Sequence, residues 1–164
     1  MLKIKPVGQR AGFCGPASLK MVLAFFGVKK SEKELGRLTG CTTRHGTTAQ
    51  KIVRAARQLG FVAKTKDDST IADLRRLVVG KRMPVIVDWF SADEGHYSVV
   101  VHIDKRFAYL NDPELARVRK IDVNTFERVW FDFESDYLRT PKDLILRRMI
   151  VICPKIFTRA EKNF

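Results

Sequence analysis

Gly12-Phe13-Cys14-Gly15-Pro16-Ala17-Ser18-Leu19-Lys20-Met21-Val22-Leu23-Ala24-Phe25-Phe26-Gly27 is the stretch from which the fold can be read. Leu19, Val22, Leu23 and Phe26 recur at i, i+3, i+4 and i+7, the spacing of one buried helical face. Pro16 suits a first helical turn and Gly27 suits the position just past an end, so a helix is expected over Pro16 to Phe26. Gly8 to Gly15 reads as the loop leading into it. Cys14 therefore stands where a glycine-rich loop meets a helix N-terminus. Unsatisfied N–H groups gather there and favour an anion. The thiolate is the nucleophilic form of cysteine, and the same N–H groups can receive a developing oxyanion. Most lone cysteines are small buried apolar residues; the Gly/Pro-marked helix start argues for more here.

Outward from that helix, Leu2 to Val7 reads as extended. Ser31 to Leu38 reads as a short helix with Glu34 at capping-box spacing from Ser31. Thr48 to Leu59 is a helix with Ile52, Val53, Ala56 and Leu59 on one face, and Thr70 to Val79 is another, bounded by Ser69 and Gly80. Phe61 to Lys64 is an expected strand. The second half changes character. Pro84 to Asp88, Tyr97 to Ile103, Phe107 to Leu110, Ala116 to Ile121 and Met149 to Cys153 read as strands, with a turn at Asp104-Lys105-Arg106. Val123 to Trp130 is a short helix or turn, and Phe131 to Thr140 reads as a surface loop. Helices first and antiparallel strands second define an α+β class, with N-terminal helices packed on a C-terminal sheet.

A base for Cys14 must come from His45, His96 or His102. His45 lies in the polar loop Arg44-His45-Gly46, and His102 lies deep in an apolar strand. His96 follows Asp93-Glu94-Gly95 at the mouth of that same strand, where a side chain can sit at a polar rim. A base also needs a group to orient its ring. Counting from a turn centred near Lys105, His96 is nine residues before and Asp112 seven after, so the two ends meet on adjacent strands. Asp104 is the rival carboxylate, but it falls at the hairpin tip. Gln9, five residues before Cys14, could donate its side-chain amide to an oxyanion.

Composition narrows the alternatives. The chain has 164 residues, 45% hydrophobic and 30% charged, and is read as one domain over 1–164 with a charged, disorder-prone tail from about 155. No run approaches the roughly 20 apolar residues of a membrane span, and no signal-peptide core opens the chain, which points to the cytosol. Three cysteines without CxxC or zinc spacing argue against a disulfide framework, a metal site or a cofactor. Lys and Arg number 31 against 18 Asp and Glu, a formal charge of +13 that would attract polyanions or acidic peptides. The basic residues are scattered and no nucleic-acid motif is present, so nucleic-acid binding is disfavoured.

These residues resemble a known family. Gln9, the segment Cys14 to Leu23 with Phe26-Gly27, Gly46-Thr47, Leu59-Gly60-Phe61, Pro84 to Val87, Gly95 to Val100, Asn111-Asp112-Pro113, and Phe126 with Trp130 are similar to the bacteriocin-processing (double-glycine leader) cysteine peptidases. The resemblance runs from about Pro6 to about Trp130. It implies a papain-like fold, a Cys-His-Asp triad of Cys14, His96 and Asp112, and Gln9 in the oxyanion hole. It further implies a peptide or protein substrate, with leader processing as the expected reaction. The sequence departs from the family's pattern at Phe13, where an acidic or polar residue is common, and in the spacing of Gln9. Best-known members are fused to a membrane transporter. Here the reading is of a stand-alone domain, for which a separate transporter is a conceivable partner. The alternative is a catalytically silent relative that holds a peptide or protein in the same cleft.

Overall fold

The computed structural model describes residues 1–92, 94–133 and 137–155; the tail beyond 155 and residues 134–136 of the segment expected as loop fall outside them. Helix α1 spans Cys14–Phe25, two residues longer at its start than expected, with Pro16 still in the first turn. Its N-cap, Phe13, supplies no side-chain acceptor, so the first N–H groups are not capped from there. Helix α2 (Glu32–Thr39) carries the expected capping box between Ser31 and Glu34. Thr48 caps α3 (Ala49–Gln58). Thr70, not Ser69, caps α4 (Ile71–Arg75), which widens into a π turn over Arg76–Gly80.

The strands are β1 (Phe61–Lys66), β2 (Val85–Ser91), β3 (Glu94–Ile103), β4 (Phe107–Asp112), β5 (Arg117–Asp122), β6 (Phe131–Phe133), β7 (Leu144–Leu146) and β8 (Met149–Pro154), with α5 (Val123–Val129) between β5 and β6. Six of them form one antiparallel sheet in the order β1-β8-β2-β3-β4-β5. The α+β expectation stands, with β1 reaching the sheet edge from among the helices. Near-continuous apolar runs explain the centre: Val85, Ile86, Val87, Val99 and Val100 are all fully buried.

Two differences bear on the site. The β2–β3 hairpin is longer than its apolar cores suggested, so His96 lies inside β3, paired with Trp89, and not at a strand mouth. Phe131 to Thr140 is not a plain surface loop. Phe131–Phe133 pairs with Leu144–Leu146 as a small second sheet. Its aromatics stack on Phe90, with ring centroids 5.3 Å (Phe131) and 5.5 Å (Phe133) away. Alternating aromatic and acidic residues look like loop in one dimension; stacking on a neighbouring hairpin makes them strand.

Helix α1 is locked onto β3. Ser18 Oγ, fully buried, donates to the Tyr97 carbonyl oxygen at 3.1 Å. Gly15 permits the approach: a side chain there would overlap Thr47 and press on Ile52, and would lie 3.5 Å from the Tyr97 ring. The loop before Cys14 is clamped as well. Phe13, 6% exposed, packs against Gly36 of α2, under the Arg10 guanidinium, which pairs with Glu32 at 3.1 Å. Phe13 thus serves as an apolar anchor.

Candidate active site

Cys14, half-buried at the start of α1, lies close enough to the β3 residue His96 to help raise the pKa of its ring. His96 Nε2 lies 2.8 Å from Asp112 Oδ1 at the end of β4, which leaves Nδ1 as the ring nitrogen for the sulfur. The cross-strand geometry explains this reach. Val99 faces Asn111, so Asp112 falls opposite Ser98 and diagonally from His96 on the same face. A bulge between Val100 and His102 absorbs one residue, and this shift sets the register that brings the two groups together.

Asp112 is fully buried and well satisfied. Besides His96, Oδ1 accepts from the Glu114 N–H at 3.0 Å, and Oδ2 accepts from Arg119 Nη1 at 3.1 Å. Burial works to raise its pKa, but His96, Arg119 and the Glu114 amide prevail and hold the carboxyl below the usual range. For His96 the largest influence, burial, favours the neutral ring. The hydrogen bonds and charges of Asp112 and Cys14 outweigh it and raise the pKa to about 9. With its pKa at about 9, His96 is held as an imidazolium at neutral pH.

Several supports were not legible as site residues. Trp89 sits edge-on to His96 at 5.9 Å, donates from Nε1 to Ser98 Oγ at 3.1 Å, and packs on Phe126. The Arg119 guanidinium lies 5.1 Å from the Trp89 ring and also donates to Ser91 Oγ at 3.0 Å. In sequence Arg119 is one of a basic run on an edge strand. Its place is visible only once β5 pairs with β4, where it stands opposite Leu110.

Gln9 is brought near through its backbone, whose N–H donates to the Pro113 carbonyl at 3.0 Å, next to Asp112. Its side-chain Oε1 is buried without a hydrogen-bond partner. His45 is exposed in a turn closed by the Thr42–Gly46 bridge. His102 lies in the sheet with its ring 5.3 Å from Tyr109. Asp104 caps the β3–β4 turn, accepting from the Arg106 and Phe107 amides. His96, Asp112 and Glu114 could bring ligand atoms within 4.8 Å of one another. The first two already satisfy each other, and Arg119 places a positive charge on the same carboxylate, a poor setting for a cation.

The other cysteines differ from Cys14. Burial, then the charges of Cys14 and Glu32, push the Cys41 thiol up to about 11, and Cys153 is fully buried. Iodoacetamide at pH 7 is therefore expected to alkylate Cys14 well before either, as followed by peptide mapping. Equal labelling of Cys14 and Cys41 would contradict an activated sulfur.

A helical layer that delivers a cysteine to a histidine on an antiparallel sheet is the arrangement of papain-like cysteine peptidases. The chain belongs to the peptidase C39 family, whose model matches residues 8–133. An uncharacterised protein of Methanothermobacter marburgensis is 39% identical over 114 residues, 69% of this chain and 74% of that one. The transport/processing ATP-binding protein ComA of Streptococcus pneumoniae is 34% identical over 122 residues, 71% of this chain but only 16% of ComA. Among solved structures, the peptidase domain of Streptococcus ComA, a bi-functional ABC transporter involved in a quorum-sensing pathway, superposes with a TM-score of 0.72 at 25% identity. It covers 93% of this chain and 99% of that domain. A double-glycine-motif protease from an AMS/PCAT transporter, solved in complex with the leader peptide, superposes with a TM-score of 0.69 at 24% identity over 93% of each chain. Among the described residues no helix is long and apolar enough to cross a membrane.

Proposed function

We propose that this chain is a cysteine peptidase whose nucleophile is Cys14, whose general acid and base is His96, and whose orienting carboxylate is Asp112. The observation that carries this is the 2.8 Å hydrogen bond from a fully buried aspartate to a histidine whose pKa is raised by the nearby Cys14, itself at an uncapped helix start. In the first half-reaction the thiolate attacks the peptide carbonyl carbon and its oxygen becomes an oxyanion. The α1 N-terminal N–H groups, with the Gln9 amide as second donor, face that charge. The C–N bond then breaks as His96 passes its proton to the departing amine, leaving a thioester. His96, now neutral, takes a proton from water, which attacks the thioester. The acid product leaves and the thiolate–imidazolium pair returns.

The substrate class we assign is a leader-bearing peptide, processed in the cytosol by a single domain spanning 1–164. Family membership and the leader complex of the double-glycine-motif protease support this. Incubating the chain with a proteome-derived peptide library and sequencing the new termini by mass spectrometry tests the proposal. Reproducible new termini at a shared cleavage motif are expected. Peptide binding without any new terminus would replace the peptidase with a silent binding domain.

A further inference from the structure

One face of the sheet carries a row of side chains from four neighbouring strands, and the triad reaction uses only the middle two. Trp89 on β2 lies directly across from His96 on β3. Asp112 on β4 reaches His96 diagonally, and Arg119 on β5, paired with Leu110, reaches Asp112 in the same way. At that end of the row Arg119 Nη1 donates to Asp112 Oδ2 at 3.1 Å and to Ser91 Oγ at 3.0 Å. One nitrogen with two N–H groups can serve both acceptors at once. Ser91 is buried, and the guanidinium lies 5.1 Å from the Trp89 ring. The Arg119 side chain is 33% exposed, whereas that of Asp112 is fully buried.

Arg119 acts on the pair beside it in two ways. The first is geometric. Asp112 Oδ1 accepts from the Glu114 N–H at 3.0 Å and faces His96 Nε2 at 2.8 Å. The carboxylate torsion of aspartate is broad, so with Oδ2 unheld the group could turn and take Oδ1 out of line with the ring. Among the described residues Arg119 is the one side chain that donates to Oδ2, and Ser91 anchors it in turn. The second is electrostatic. A guanidinium is charged at every working pH. On the far oxygen of the carboxylate it shares the negative charge that would otherwise act on the His96 proton alone, and it opposes the imidazolium as a second cation. A general acid that gives its proton to a departing amine works best when its pKa lies near the working pH. The other charged or titratable groups facing the pair are Cys14 on α1, Arg117 opposite Asp112 on β5, the exposed Glu114 after β4, and Asp132 on β6, whose carboxylate lies over Gly95.

We infer that Arg119 is a positioning residue for the Asp112–His96 pair: it fixes the carboxylate against Ser91 and shares its charge, so that the imidazolium stays aligned and can release its proton. Its catalytic meaning rests on the peptidase reading, but the first measurement needs no turnover. The His96 ring protons are followed by NMR through their titration in the native, Arg119→Gln and Arg119→Lys chains, the signals being assigned by their loss in His96→Ala. Glutamine keeps N–H donors and removes the charge; lysine keeps the charge and lacks the planar fork. Removing the cation is expected to move the His96 titration to higher pH in Arg119→Gln, and lysine to bring it back toward the native position. On a cleaved peptide, the kcat of Arg119→Gln is expected to fall at least about tenfold with KM changed less than about twofold, and that of Arg119→Lys to recover in part. An arginine with only a structural role would lower the thermal midpoint and leave the titration of the folded chain where it was. A His96 titration unmoved by Arg119→Gln, one displaced equally by Arg119→Lys, or a native kcat in Arg119→Gln overturns the inference. A titration displaced as expected, with no peptide cut by the native chain, leaves Arg119 in this role and ends the peptidase reading.

Discussion

Cys14→Ala is expected to lower kcat by at least about 10^4-fold while leaving the thermal midpoint within a few degrees of the native chain. The loss is large because no other group can form the thioester: Cys41 has its thiol pushed up to about 11, and Cys153 is buried. The fold survives because the sulfur does little packing. Cys14 is half-buried at the first position of α1, where alanine is a good helix former. The anchors of that helix are Ser18 on the Tyr97 carbonyl, Gly15 against Ile52, and Phe13 on Gly36. Removing the sulfur does withdraw one of the influences that raise the His96 pKa, so the imidazole of the variant should titrate at lower pH. Paired assays of cleavage and thermal unfolding check both halves. Near-native cleavage by Cys14→Ala would remove the mechanism, and collapse of the fold would show that the residue is structural.

Asp112→Ala should be the most damaging single change to stability and severe for rate. It strips a buried histidine of its 2.8 Å partner and leaves Arg119 and the Glu114 amide facing an apolar methyl. Breaking a buried pair from one side costs about 3–5 kcal/mol, softened here because Arg119 is partly exposed and His96 can shed its proton. The pH dependence carries the sign. The His96 pKa is raised when folded, so its stabilisation is complete below about 6.5 and disappears as pH rises through about 9. Asp112 is lowered when folded, so its share is present above the unfolded carboxylate range and is lost on acidification. The stability gap between native and variant chains should therefore be widest near pH 6 and narrow toward pH 10. Denaturant unfolding at those two pH values measures it; a gap unchanged by pH would show that the pair is not ionised as described. The rate should fall about 10^3–10^4-fold through loss of ring orientation.

Much of the architecture was readable before any coordinates, for identifiable reasons. Helix α1 announces itself by period and punctuation, and the capping box at Ser31 and Glu34 forms as its spacing implies. His96 and Asp112 could be joined by counting from one hairpin turn, because strand pairing is local. What stayed hidden depends on contacts that periodicity does not encode. The bulge at Val100/His102 shifts the register by one residue without a glycine or proline to mark it. Arg119 looks like one more solvated cation until β5 lays it against Asp112. Asp88 sits in an otherwise apolar strand, and Asp132 sits in a segment that resembles loop. The stacking of Phe131 and Phe133 on Phe90 is what turns that segment into strand.

The sulfur's role as attacking atom can be read directly from the covalent intermediate. Native chain mixed with a cleaved peptide, quenched in acid within milliseconds and digested, should show the acyl half of the substrate on Cys14 by mass spectrometry. The adduct should be absent from the His96→Ala chain. Turnover with no acyl group on Cys14, or an acyl group on Cys41 in its place, would contradict the account.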